Sequence, residues 1–208
     1  MRKFIALFLL SPIVCSYDNL QIHLNSPINK TGPKNECIDS ICTSLLNLIE
    51  NAQSSIDFAV YGLRGQPQIL NALIKAEKRG VFIRGIIDKT VDGKSYYTDT
   101  YLLEQELNNI KSDHQSDLKT KRYLERNNFK DNSECERPNF TDGPLQCFED
   151  KGYASKEKIF FTGDIMHNKF FVVDKRFIWT GSANLSDTGT GGYNANIVAE
   201  LDSVYFAA

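Results

Sequence analysis

His167 and Lys169, followed beyond a short apolar run by Ser182 and Asn184, are residue types that handle phosphate. An imidazole can attack phosphorus, and an ammonium can hold the anionic oxygens of the group under attack. The same pair suits a metal poorly, because the cation of Lys169 would repel it. Neighbouring strand side chains point to opposite faces, so His167 and Lys169, two apart, are expected side by side, with Asn168 turned away. Ser182 and Asn184, also two apart, add donors, and the four groups together make an anion cradle.

Positioning these groups falls to two strands. Phe170 to Val173 and Phe177 to Trp179 are β-formers, joined at Asp174-Lys175-Arg176 as a hairpin. The run His167-x-Lys169-x4-Asp174, followed after six residues by Gly181, Ser182 and Asn184, resembles the signature of the phospholipase D superfamily. The stretch SIDFAVYGL, an apolar helix and RGVFIRGIID also resemble the first half of a phospholipase D-type domain.

That resemblance implies two-step phosphodiester hydrolysis through a covalent phosphohistidine. His167, Lys169 and Asp174 form the catalytic motif, Ser182 and Asn184 hold phosphate oxygens, and no cofactor or metal is implied. Two copies of the motif meet in such enzymes, one His attacking and the other protonating the leaving oxygen. This chain has one copy, so a homodimer mate or a second half is expected to supply the other. An extended path from His167 to Asp174 spans roughly 23 Å, which favours a turn-stabilising or supporting role for Asp174. Where family members carry an acid, near an Asn-x-Glu-Asn, this chain has Asn194-Ala195-Asn196. Asn196, Asp187 or Glu200 is therefore expected to orient His167.

The first residues, MRKFIALFLLSPIVCS, combine two basic residues, a short apolar run and a cleavage site of small residues. They read as a signal peptide over 1–16, which makes 17–208 the domain and points to periplasmic or secreted protein. The apolar run is too short for a membrane span. Beyond Cys15 four cysteines remain: Cys37, Cys42, Cys135 and Cys147. In an exported chain they are expected to form two disulfides; three pairings are possible, and proximity favours Cys37 with Cys42 and Cys135 with Cys147. Their spacing lacks the close ligand pair of a zinc site.

With 41% hydrophobic and 24% charged residues the composition is globular, and the net charge of −2 gives no whole-molecule attraction for nucleic acid or anionic lipid. Export and this balance favour a phospholipid head group as the diester. An exported endonuclease acting on DNA or RNA by the same chemistry is the alternative. A third reading is an inactive half-domain serving as a binding or dimerisation module.

Taken in order, Leu20, Ile22 and Leu24 alternate as a strand with His23 facing outward. Ile38, Ile41, Leu45, Leu48, Ile49 and Ala52 recur at helical spacing. Ser54 to Gly62 is a strand, and Pro67 opens a second helix with Ile69, Leu70, Leu73 and Ala76 inward, ending at Lys78-Arg79-Gly80. Val81 to Asp88 is a strand, and Leu102, Leu103, Leu107 and Ile110 suggest a third helix. The alternation predicts an α/β fold, a mixed, largely parallel β-sheet flanked by helices on both faces. From 111 to 158 an insertion with ten basic and ten acidic residues, His114 among its polar positions and a clipped Cys135–Cys147 loop, reads as a substrate-side flap. Ile197, Ala199 and Leu201 form a last strand, and Ser203 is placed to cap a helix at Val204-Tyr205-Phe206, a pattern that suggests a truncated chain or one half of a two-motif enzyme.

Overall fold

The computed structural model describes residues 19–26, 32–89, 94–113 and 165–207. The predicted leader, the predicted Cys135–Cys147 pair, His114 and the predicted flap beyond residue 113 lie outside the described residues.

Seven strands form the main sheet: β1 (Asn19–Asn25), β2 (Ser55–Val60), β4 (Phe82–Ile87), β5 (Ile110–Ser112), β6 (Lys169–Val173), β7 (Phe177–Gly181) and β9 (Asn196–Asp202). Their spatial order is β1-β9-β7-β6-β2-β4-β5. A small second sheet pairs β3 (Leu63–Arg64) with β8 (Leu185–Ser186). The sheet is mixed, as expected, but the balance differs. Only β2 with β4 and β4 with β5 run parallel, and the other four pairings are antiparallel. The reason is the hairpin: a three-residue connection sends β7 back along β6, and β9 and β1 continue the meander.

Helices α1 (Ser40–Asn51) and α2 (Pro67–Lys78) cover one face of the sheet. Ile41, Leu45 and Ile49 of α1 and Ile69, Leu73 and Ala76 of α2 are fully buried. They meet Ile56, Phe58 and Val60 of β2, Ile83 and Ile87 of β4, Phe171 and Val173 of β6, and Trp179 of β7. Burying each large apolar side chain contributes about 1.5–3 kcal/mol. Trp179 is wholly buried, and its indole N–H finds Ser44 Oγ at 3.0 Å. Pro67 sits in the first turn of α2, where its missing N–H costs nothing, and Gly80 ends the helix with φ +95°. Arg79 donates to the carbonyls of Ile49, Glu50 and Ala52, tying the end of α2 to the otherwise open end of α1.

The third helix is shorter than the sequence suggests. α3 spans Thr100–Glu106 and buries Leu103, Leu107 is extended, and Ile110 opens β5 instead of continuing the helix. Asn108 supplies the break, with its backbone N–H and side-chain amide both bonded to Glu77 of α2. β5 runs on through Lys111 and Ser112, so the sheet extends into the start of the predicted insertion.

β1 also departs from its alternation. Leu20, Ile22 and Leu24 are 60, 51 and 65% exposed, while His23 is half-buried and contacts Glu200 at 3.3 Å. The register with β9 explains this: Leu24, Ile22 and Leu20 lie opposite Ile197, Ala199 and Leu201, on the face away from the helices. On the other face His23 meets Glu200 of β9, and Asn25 is buried with its Nδ2 donating to Gly189 O at 3.1 Å. At the end of β9, Ser203 Oγ accepts from the N–H of Phe206 at 3.4 Å and starts a turn over 204–207. Cys37 and Cys42 form a disulfide with a Cα–Cα separation of 5.2 Å. No helix among the described residues is long and apolar enough to cross a membrane.

The centre of the sheet is stapled by Asp174. Its carboxylate accepts hydrogen bonds from the backbone N–H groups of Gln53, Ser54 and Ser55 at 2.7–3.1 Å and from Ser54 Oγ at 2.9 Å. Partial burial raises the carboxyl pKa, but the hydrogen bonds from Ser55, Gln53 and Ser54 outweigh it, and the net shift is downward. A depressed folded pKa means that this stabilisation is present above the ordinary carboxylate range and is lost as pH falls through the folded value. Asp174→Ala is expected to lower the unfolding free energy by about 2 kcal/mol. Asp174→Asn, which keeps one acceptor and tolerates the positive φ of 54°, should cost less. Urea unfolding at neutral pH measures both.

Candidate active site

The groups singled out by the sequence gather at one end of the sheet because of how the strands run. β2 and β4 are parallel and end together at Val60 and Ile87. β6 is antiparallel to β2, so it begins there, with Val60 opposite Lys169. β7 returns to the same end, and β9 begins there, with Asn196 opposite Asn25 of β1. In open α/β sheets, ligands bind in the crevice outside the carboxyl ends of parallel strands. Backbone pairing continues one step past β2, the N–H of Tyr61 bonding to Asn168 O at 3.1 Å, and this sets Tyr61 beside His167.

His167 lies just ahead of β6 and is exposed, whereas Lys169, the first residue of the strand, is only 7% exposed. The Lys169 ammonium donates to the backbone carbonyl of His167 at 2.6 Å and lies 5.9 Å from the centre of the Tyr61 ring. The His167 imidazole meets the same ring edge-on, 4.9 Å between centroids. Among the described residues no hydrogen bond reaches the His167 ring, and the Tyr61 ring packs against it. Burial lowers the His167 pKa below its usual value, and the nearby Lys169 charge lowers it further. Burial also brings Lys169 down to about 8, against an opposing pull from Asp88.

Ser182 follows β7 directly. Its hydroxyl donates to Asn196 Oδ1 at 2.9 Å and accepts from the N–H of Ile197 at 3.0 Å. Gly181 allows this close approach of β7 to β9, since a β-carbon there would collide with the Ile197 carbonyl and the Val198 backbone. Asn184 is gripped through its backbone: its carbonyl accepts from Ser186 N at 2.8 Å and Thr190 N at 2.9 Å. Its side-chain Oδ1 is buried and has no partner among the described residues.

Asp174 sits at the opposite end of β6 from His167, on its three backbone amides. The three groups expected to orient His167 are engaged elsewhere. Asp187 pairs with Arg64, Nη2 to Oδ1 at 2.6 Å, Glu200 contacts His23, and Asn196 accepts from Ser182. Arg64 also bonds Asp187 through Nε at 2.8 Å, holding the loop after Asn184 against β3.

Two features at this end were not read from the sequence. Asp88, 3% exposed at the end of β4, accepts from Met166 N at 2.7 Å and so anchors the residue before His167. Tyr61, Tyr96 and Tyr97 form a ring cluster, with centroid separations of 5.7 Å from Tyr61 to Tyr96, 5.4 Å from Tyr61 to Tyr97 and 5.1 Å from Tyr96 to Tyr97. Burial raises the hydroxyl pKa of Tyr61 and of Tyr97, so both stay neutral at physiological pH. Tyr61 and Asp88 are the residues that directly follow the parallel strands β2 and β4, the positions where a crevice forms.

NucT from Helicobacter pylori has a similar solved structure, with a TM-score of 0.53 and 14% identity over 91% of this chain and 89% of that one. Nuc from Salmonella typhimurium, a phospholipase D family member, aligns over 91% of this chain and 87% of its own, with a TM-score of 0.49 and 17% identity. Phosphatidylserine synthase from Haemophilus influenzae aligns over 90% of this chain and 35% of its own, with a TM-score of 0.43 and 10% identity. No curated protein sequence matches the chain. The family described as cardiolipin synthase, PLD-like domain, matches residues 45–208, a span that holds β2 to β9, the hairpin and His167, Lys169, Asp174, Ser182 and Asn184. The chain belongs to this family of phospholipase D-like domains.

Proposed function

We propose that this protein cleaves phosphodiester bonds through a covalent intermediate on His167. One observation carries the reading: the buried Lys169 ammonium and the His167 imidazole share the Tyr61 ring at the sheet end where Ser182 and Asn184 also lie. A lowered pKa leaves His167 neutral near pH 7, with a lone pair free to attack phosphorus. The half-dehydrated Lys169 cation holds the charge that builds on the phosphoryl oxygens, and the Ser182 hydroxyl joins it by turning its proton from Asn196 to the phosphate. Asn184 takes a share of that charge through its amide N–H; its Oδ1 is buried and has no partner among the described residues. Attack forms the N–P bond as the P–O bond to the leaving group breaks. The leaving oxygen takes a proton from a second histidine, and water, giving a proton back to that histidine, then attacks phosphorus as the N–P bond breaks and His167 is released.

A second copy of this chain is the source we propose for that second histidine, in a two-fold assembly that sets one His167 against the other. Phospholipids and nucleic acids both present the bond that these groups cleave. With 1–16 as a leader, the reaction takes place outside the cytoplasm, where the Cys37–Cys42 disulfide persists.

Turnover of bis(p-nitrophenyl) phosphate is expected to survive excess chelator, to vanish in His167→Ala, and to rise faster than linearly with protein concentration. Linear dependence down to nanomolar protein would remove the two-chain assembly from the account.

The pH profile follows from the two lowered pKa values. Activity should rise as pH climbs through the lowered pKa of the attacking His167 and fall as the proton-donating His167 and then Lys169, near 8, lose their protons. In kcat/KM, Lys169→Arg should lower the maximum and leave an alkaline limb set by the proton-donating His167 alone, because guanidinium does not deprotonate in this range.

Tyr61 positions His167, and its ring does so without its hydroxyl. Tyr61→Phe should retain kcat within about threefold and Tyr61→Leu should lower it about 10- to 100-fold, in keeping with the cost of misplacing a reacting group. KM should change little. Steady-state kinetics on the same substrate separates the two variants.

A further inference from the structure

We propose that Tyr96 is a stacking platform for a nucleobase next to the scissile phosphodiester, which makes single-stranded nucleic acid the substrate class. The proposal rests on the phosphodiester chemistry assigned to His167.

The three rings of the cluster are not equivalent. Tyr61 and Tyr97 are 4% and 6% exposed, whereas Tyr96 is 38% exposed. Tyr96 lies stacked on Tyr61, at 29° between planes, and Tyr61 in turn meets His167. A row of rings therefore runs outward from the imidazole and ends in one that still offers surface. Two buried rings hold Tyr96 in place, so a planar group can settle on it with little loss of side-chain freedom. Any base can use such a surface, since every base has a π-face, and a base stacked within a duplex cannot reach it.

The exposure of the cluster selects against the main competing occupant. Several aromatic rings together can instead enclose a quaternary ammonium, as in a choline head group. Here Tyr61 and Tyr97 are 4% and 6% exposed and already face the protein's own cations, Lys169 and Arg64, so they have no surface left for a ligand. A single open ring is a platform for a planar base, and it cannot form a cage around a head group. The net charge of −2 does not oppose this, because stacking supplies the local grip that a basic surface supplies elsewhere.

The test measures binding apart from turnover. Fluorescence anisotropy of a labelled oligothymidylate is followed at fixed low salt on the full chain carrying His167→Ala, which prevents cleavage. Adding Tyr96→Ala should weaken binding about 5- to 150-fold, the equivalent of about 1–3 kcal/mol per stacked base. Tyr96→Phe should restore it, and Tyr101→Ala, at an exposed ring on α3, should leave it unchanged. Loss of affinity confined to Tyr96→Ala supports the platform even if no diester is turned over, in which case only the hydrolytic reading fails. Binding within twofold of the parent in Tyr96→Ala overturns the platform while leaving His167 chemistry intact. A Tyr96→Ala defect that appears only with phosphatidylcholine in mixed micelles overturns it in favour of the lipid head group.

Discussion

At the amino end of β2, three successive backbone amides converge on the carboxylate of Asp174, and β6 is thereby fixed against β2 in one register. A slip of one residue would turn every β6 side chain to the other face. Phe171 and Val173 would leave the core, and the Lys169 ammonium would swing away from Tyr61. The opposite end of the same pairing is closed by the bond from Tyr61 N to Asn168 O. His167, two ring contacts from solvent-facing Tyr96, inherits its place from a carboxylate at the far end of the strand.

The site itself is built on a costly arrangement. A lysine that is 7% exposed loses much of its hydration, and the bond to the His167 carbonyl and the nearby Asp88 charge offset only part of that. In the mechanism proposed above the incoming phosphate completes the compensation, so the cradle is organised for an anion before one arrives. Family members often pair the histidine with an acid. Here Asp187 serves Arg64 and Glu200 serves His23, and a tyrosine ring contacts the imidazole instead. A perpendicular ring contact supplies no counter-charge for the imidazolium, and burial and Lys169 lower the histidine pKa.

Much of this was legible in the sequence for identifiable reasons. The helix-facing residues of α1 and α2, the hairpin and the shared end of His167, Lys169, Ser182 and Asn184 follow from periodicity and from turn chemistry, which are local properties. The Cys37–Cys42 disulfide followed from proximity. The readings that changed were those set by long-range partners. Leu20, Ile22 and Leu24 alternate correctly for a strand, but which face is covered depends on β9, 177 residues away in the pairing of His23 with Glu200. Ile110 keeps helical spacing with Leu103 and Leu107, yet Glu77 captures Asn108 and β4 offers an edge. The ring cluster joins Tyr61 to Tyr96 and Tyr97 across a crossover connection, so no spacing rule links them.

The central claim is that His167 becomes covalently bonded to phosphorus, and it can be observed directly. The full chain is mixed with a slowly hydrolysed phosphodiester, quenched in alkali within milliseconds to seconds, digested, and analysed by mass spectrometry under conditions that preserve phosphoramidates. The account predicts an acid-labile phosphoryl adduct on His167 that forms and decays at rates compatible with turnover. Turnover without any adduct, or with an adduct on another residue, would contradict it.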